Sequence, residues 1–555
     1  MAATELPITV LSWTVSSLPI LALLLLLIWR RWSTSSAAPA ALAIGAVSAI
    51  ALFHTPLRTM AVAAGKGIWD AIFILYVIWP ALILYNTVEK ARAFIAIQQG
   101  IRKLLPDRLL VVLAFAWVLS SFIQGIAGFG TPIAITSPLL VGLGVKPVYA
   151  VVLPLIGAAW ANMYGTLGAG WFATLAVVDI PNRELLFLYS GLLIWIPNLA
   201  GGLTIAWMYG RLWALKRGFP AIAVISLLHG GLQIILLPFI TPLAVFFASA
   251  AALGATFLLG RWSFYRQHDE DEPDRVFTEE SKRAAREEEE RFHGGRKDDS
   301  AGEDKKETGL SLAAALAPYA FLAAISIIAL MIPFIRDFLE QVRVGLPFPE
   351  TTTEYGVYNE ATDAYSSFTP LTHPGTLLLL SALAGYLLFR KKKAYPPEFT
   401  PGAIILSASQ DALPATTAIT ALLLISKVMD HSGQIIILAL GVAHVAPTMA
   451  YVGASNFIGL IGSLITSSNT ASNVLFAPLQ ATAAQAEGIQ VELALAGQFA
   501  GGATGNAISP GDALLGAAVT GISERLGVIL ARALPWSIMT ACIISAATML
   551  IYVLS

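Results

Sequence analysis

Two stretches hold residue types from which a polar site inside a membrane could be built: Ser121 to Ile135, SFIQGIAGFGTPIAI, and Ile465 to Asn473, ITSSNTASN. Each crowds Gly, Ser, Thr, Asn, Gln or Pro into strongly apolar surroundings. A helix interrupted at membrane depth frees backbone N–H and C=O groups, and only protein or a water-filled cavity can then replace lipid. Both stretches are therefore read as linings of a polar cavity. Corresponding interruptions in two halves of a membrane chain point to a transporter binding site between inverted repeats.

In the first stretch, Gly125, Gly128 and Gly130 let backbone turn or approach a ligand, and Pro132 fixes φ and removes a donor. With Gln124, Phe129 and Thr131 they open a half-helix whose free N–H groups favour a carboxylate. In the second, Ser467, Ser468, Asn469, Thr470, Ser472 and Asn473 offer hydroxyls and amides that could hold a carboxylate, or an alkali cation through oxygen. A third run, GNAISPGD, places Gly505, Asn506, Ser509, Pro510 and Asp512 at another break facing the same cavity. The structural alternative for all three is close helix packing by small residues and polar glue between helices. Asp70, Asp411, Asp512 and His444 are coupling or gating candidates, because ionisable groups inside a membrane are costly and default to function. A helix-capping or interfacial position is the competing explanation for the acids, and a hydrogen-bonded neighbour for His444 and His229.

The elements that would position these residues follow from composition. Of 555 residues 56% are hydrophobic and 12% charged, which excludes an ordinary soluble domain, and a net charge of −1 leaves no basic surface for nucleic acid. Apolar runs and flanking charges predict an all-α polytopic protein with about 12 transmembrane helices plus two re-entrant hairpins. Residues 1–260 form an N-terminal half with a hairpin over 109–145, and 309–555 a C-terminal half with a hairpin over 451–485. Between them 261–308, where charges crowd, reads as a solvated cytoplasmic linker. Clusters such as Arg390 to Lys393 mark cytoplasmic turns, which places both termini outside. The order of crossing helix, interfacial helix, hairpin and Gly-broken helix repeats in both halves with inverted orientation.

At IQGIAGFGTPIAI, GLGVKPVYA, SSNTASNVLFAPLQATAAQ and GGATGNAISP the chain resembles the L-lactate permease family, in order from about Gly67 to the C-terminus. That resemblance implies proton-coupled carriage of L-lactate, glycolate and related 2-hydroxy monocarboxylates across a bacterial cell membrane. It further implies an elevator-type movement, usually a dimer, and no cofactor. Three positions depart from the family pattern. Gln124 and Asn469 stand where the family has acids, and Asn506 where it has Lys. Amides cannot titrate, so the coupling ion is left open between H⁺, which the resemblance implies, and Na⁺ or none, which Gln124, Asn469 and Asn506 suggest. The expectation is a secondary transporter of small organic anions in the lipid bilayer. A carrier of a different small anion or a passive anion channel is the alternative. An enzyme is not expected, because no nucleophile and base, acid cluster or His-rich helix occurs at useful spacing.

Overall fold

Long apolar helices alternate with broken ones along the chain. The computed structural model describes residues 6–7, 9–30, 32–128, 130–266, 275–279, 310–396, 399–445 and 448–555. Among these, nine helices are long and apolar enough to cross a membrane, or ten if the bent pair Pro147–Asn162 and Gly165–Leu175 is one span. Spacing predicts about 12. Part of the difference lies in Arg183–Arg261, which runs as one 79-residue stretch where sequence divides it into three crossings. Its backbone leaves helical geometry at Gly210 and Arg211 and tightens into a 3₁₀ turn at Thr241–Leu243.

The first half opens with α1 (Val10–Ile28) and α2 (Thr34–Ala51), then α3 (Leu57–Lys90), of 34 residues, and the short α4 (Ala93–Leu104). α4 is apolar on one face, with Ala93, Phe94, Ala96, Ile97 and Ile101 buried, and basic at its end. Asp107 caps α5 (Arg108–Leu113) by accepting from Leu110 N at 2.8 Å. A wide π turn over Ala114–Leu119 leads into α6 (Ser120–Ile126), and after a break α7 (Thr131–Gly142) packs back against it. Then come α8 (Pro147–Ala158), a 3₁₀ turn, α9 (Gly165–Val177), α10 (Arg183–Ser226), α11 (Leu232–Ile240) and α12 (Ala244–Arg261).

The second half starts with α13 (Leu312–Met331) and α14 (Pro333–Leu339). The acidic loop that follows is not featureless. β1 (Val344–Phe348) pairs antiparallel with β4 (Thr362–Phe368), and nested between them β2 (Thr351–Thr352) pairs with β3 (Tyr358–Asn359). This corrects the all-helical expectation: Val, Thr, Tyr and Phe recur through the loop and suit a pleated backbone. α15 (Pro374–Lys391), α16 (Pro401–His431) and α17 (Gln434–Val445) come next, then α18 (Thr448–Thr466) and α19 (Asn469–Ala486), which pack on each other across a break. α20 (Val491–Asn506), α21 (Pro510–Val519) and α22 (Leu526–Leu554) complete the chain.

α3 and α16 lie side by side and antiparallel, since Gly67 faces Leu424, Trp79 Nε1 donates to Thr416 Oγ1 at 3.0 Å, and Asn86 meets Asp411. α9 and α19 pack across this pair. Most of the span 261–308 lies outside the described residues. Residues 275–279 within it are docked rather than solvated: Val276 and Phe277 are buried, Lys146 N donates to Val276 O, and Thr278 N to Gly144 O. The backbone of this short segment finds partners in the turn between α7 and α8, and its two apolar side chains are buried.

Candidate functional site

Local sequence dictates where the four helices stop. Gly130 sits at the N-cap of α7 with φ 80, a left-handed conformation that glycine adopts without strain. Ser467 takes φ 54, and Ser468 then caps α19 by accepting from Ala471 N at 3.2 Å. Thr166, Leu167 and Gly168 are left-handed within α9, at the end of the run ANMYGTLG, whose two glycines weaken a helix. Pro510 starts α21 after the turn at Ala507 to Ser509.

These breaks meet. A Cβ on Gly128 would collide with Thr166 Oγ1 and Gln124 Nε2, so the α6–α7 tip lies against the break in α9. A Cβ on Gly130 would come to 3.1 Å of Asp512 Oδ1, which puts the same tip against α21. Gly511 N donates to Ser467 Oγ at 3.0 Å, tying the α18–α19 tip to the start of α21. Between them is a cavity lined by Gln124, Asn162, Thr166, Ser467, Ser468, Asn469, Thr470, Asn506 and Asp512. Every one of these side chains is polar, and Asp512 alone is ionisable. Asn506 Nδ2 donates to Asp512 Oδ2 at 2.8 Å. Neither polar atom of the Asn469 amide has a partner among the described residues, although Asn469 is only 3% exposed. A buried amide left unbonded costs about 1–3 kcal/mol, and the Asn469 amide oxygen lies against Gly502 of α20. The cavity is narrow: water centres have about 20 Å³ of it, enough for one ordered water at about 10–15 Å³ each. A carboxylate held here would be met by hydroxyls, amides and the first N–H groups of α19.

The family model for L-lactate permease matches residues 12–555. The chain belongs to the L-lactate permease family. L-lactate permease of Escherichia coli (strain K12) is 29% identical over 506 residues, 87% of this chain and 85% of its own length. Glycolate permease GlcA of the same strain is 26% identical over 533 residues, 90% of this chain and 89% of its own. The solved YdaH transporter of Alcanivorax borkumensis covers 88% of this chain and 86% of its own at 13% identity, with a TM-score of 0.42, too weak a likeness to argue from. As a member of a permease family with many apolar helices, the chain is a multi-pass plasma-membrane transporter and not an enzyme.

In this L-lactate permease family member the structure separates the residues singled out from sequence. Gln124, Ser468, Asn469, Thr470, Asn506 and Asp512 line the cavity, and Gly128 and Gly130 form the tip beside it. Others serve packing. Gly125 faces the backbone of Phe246 on α12, and Gly505 faces the Leu460 carbonyl. Gln498 Nε2 donates to Ser472 Oγ at 3.1 Å and to Asn473 Oδ1 at 3.3 Å, and Asn473 Nδ2 meets Met163 Sδ at 3.1 Å. These two side chains hold α19 to its neighbours and are not among the cavity-lining residues. Thr131 and Ser509 are buried close by without lining the cavity, and the Ser509 side chain lies against the Asp512 carboxyl group. Phe129 and the His444 side chain lie outside the described residues. His229 stacks on Trp160, with its Nδ1 3.1 Å from Asn198 Nδ2, a packed core histidine.

Asp70 and Asp411 are away from the cavity, on the α3–α16 pair. Lys427 Nζ is 3.5 Å from Asp70 Oδ2, and the same oxygen accepts from Tyr365 Oη of β4 at 2.8 Å. Lys427 also donates to the carbonyl of Ala176 at the end of α9, and Lys66 lies 5.2 Å from the Tyr365 ring centroid. Burial pushes the Tyr365 phenol up to about 12, so it stays a donor at neutral pH. Sequence reasoning missed Lys66 and Lys427. The signal was present, a lysine in the apolar run ALLLISKVMD and another four residues before Asp70.

Proposed function

We propose that this chain is a secondary carrier of small 2-hydroxy monocarboxylates, L-lactate or glycolate, bound where the two helix tips meet the two helix breaks. The observation that carries it is the single cavity to which both tips and both breaks contribute polar side chains. The named substrates of its relatives, L-lactate and glycolate, are small acids whose carboxylate and hydroxyl match this set of neutral donors and acceptors. α3 with α4, the α5–α7 hairpin and α8–α9 correspond in order and length to α16 with α17, the α18–α19 hairpin and α20–α21. In this reading they are inverted repeats, the hairpins are re-entrant, the crossings number about 12, and both termini face outside. The α3–α16 pair is the fixed scaffold past which the hairpin-bearing body moves. With so little room in the cavity, admitting lactate requires the tips to part, which suits alternating access.

Asp512 alters the expectation for coupling. The amides at 124, 469 and 506 remove the family's usual ionisable groups, yet a carboxyl group remains in the cavity beside Asn506. As a carboxylate it would repel an anionic substrate, and as an acid it would donate to one. Proton and substrate are then taken up together through Asp512. Radiolabelled lactate uptake into proteoliposomes with an imposed H⁺ or Na⁺ gradient tests this. Accumulation should follow the H⁺ gradient, and Asp512→Asn should abolish that dependence while retaining lactate–lactate counterflow. Accumulation driven by Na⁺ alone would remove Asp512 from coupling. Absence of saturable uptake and of counterflow would remove the substrate assignment.

A further inference from the structure

We propose that a second pocket, away from the central cavity, holds the phosphate headgroup of an anionic phospholipid. It has a volume of about 370 Å³ and is walled by Tyr149 of α8, Trp207 and Arg211 of α10, Arg275 of the docked segment, and Arg532 and Trp536 of α22. Three arginines therefore line one cavity. Among the described residues no carboxylate pairs with any of them. Arg211 lies over the Trp207 ring at 4.7 Å and Arg532 over the Tyr149 ring at 4.5 Å. A guanidinium stacked flat on an aromatic face keeps its N–H edge available for two oxygens, the arrangement that suits phosphate.

Two further observations mark the place as built. Arg211 follows Gly210 with φ 56 and ψ −137, a conformation that strains any residue with a Cβ. Such a conformation costs about 1–3 kcal/mol and persists where surroundings impose it. The Trp536 indole Nε1 is buried without an acceptor among the described residues, in a side chain only 3% exposed.

The surroundings favour a lipid over a free anion. The pocket opens at the outer surface of the helices, where Trp207, Ile538 and Met539 are exposed and offer an apolar wall for acyl chains. Arg532 lies six residues into α22, roughly 9 Å along its axis, within two turns of the end of that span. Lys146 lies at the same place, its Nζ donating to the carbonyl of Arg275 at 2.8 Å. Basic pockets between helices on the positively flanked side recognise anionic headgroups, with tryptophan and tyrosine at the same level.

Native mass spectrometry of the purified full chain tests the assignment, with phosphatidylglycerol, phosphatidylcholine and soluble glycerol 3-phosphate as probes. The wild type should retain one phosphatidylglycerol about tenfold more tightly than phosphatidylcholine. The triple variant R211Q/R275Q/R532Q should bring the two lipids within about twofold of each other. Glycerol 3-phosphate should not displace the lipid at equal concentration. If the triple variant does not fold, R532Q alone should cut the preference at least about threefold. Equal retention of the two lipids, or a preference unchanged by these substitutions, overturns the site. Displacement by glycerol 3-phosphate assigns the pocket to a soluble anion and overturns the lipid.

Discussion

The two ends of the α3–α16 pair are built on one plan with different chemistry. Asp70 and Asn86 are 16 positions apart on α3, as are Asp411 and Lys427 on α16, so two antiparallel helices bring Asp70 to Lys427 and Asp411 to Asn86. At one end the result is a buried ion pair: Asp70 is 1% exposed and Lys427 7%, with Tyr365 donating to the same carboxylate oxygen. At the other, Asn86 Nδ2 donates to Asp411 Oδ2 at 3.0 Å, and the acid is exposed. The surroundings explain the difference. The nested β-hairpins cover the first end and exclude water, so a carboxylate there requires a cation. Among the described residues no such cover lies over Asp411, and an amide suffices.

The comparison is broken most sharply at Lys427. Replacing it with Ala would leave Asp70 buried and unpaired, a change worth about 3–5 kcal/mol. A large fall in the Tm of the purified protein is expected, and adding Asp70→Asn should recover much of it. A Tm unchanged by Lys427→Ala would mean that water already reaches the pair. Tyr365→Phe removes one hydrogen bond to a charged group, and a loss of about 1.5–3 kcal/mol should appear in chemical denaturation. At the other end, Asn86→Ala should cost only about 0.5–1.5 kcal/mol, because Asp411 recovers its bond from water. Smallest of all, Asn86→Lys would set a cation against the exposed Asp411 from a position that is itself buried, and thermal unfolding should show a change of no more than about 1 kcal/mol, any gain falling as salt is raised. If Asn86→Ala proved as damaging as Lys427→Ala, burial would not be what separates the two ends.

A similar contrast separates the two helix tips, and it shows how far sequence reaches. The breaks were legible: Gly128 and Gly130 beside Pro132, Ser467 with Ser468 before Asn469, and the glycines around Thr166 are poor material for an unbroken helix. Which of the polar residues face the cavity was not legible. Ser472 and Asn473 look no different from Ser468 and Asn469, but they fall a turn further on, where the helix surface turns toward Gln498 and Met163. Asn162 and Thr166 line the cavity from a stretch whose weakness was evident and whose facing was not.

By itself the sequence determined that this chain lives in a membrane, where the helices break around Gly128 and Ser467 and that it belongs with the permeases, because hydropathy, backbone propensity and motif are local properties. Only the tertiary structure decided that Asp512 shares a cavity with Asn469, that Lys427 neutralises Asp70, and that three arginines share one pocket. Each of these joins residues far apart in the chain, and the charge and burial that give them meaning arise from packing, which no local pattern records.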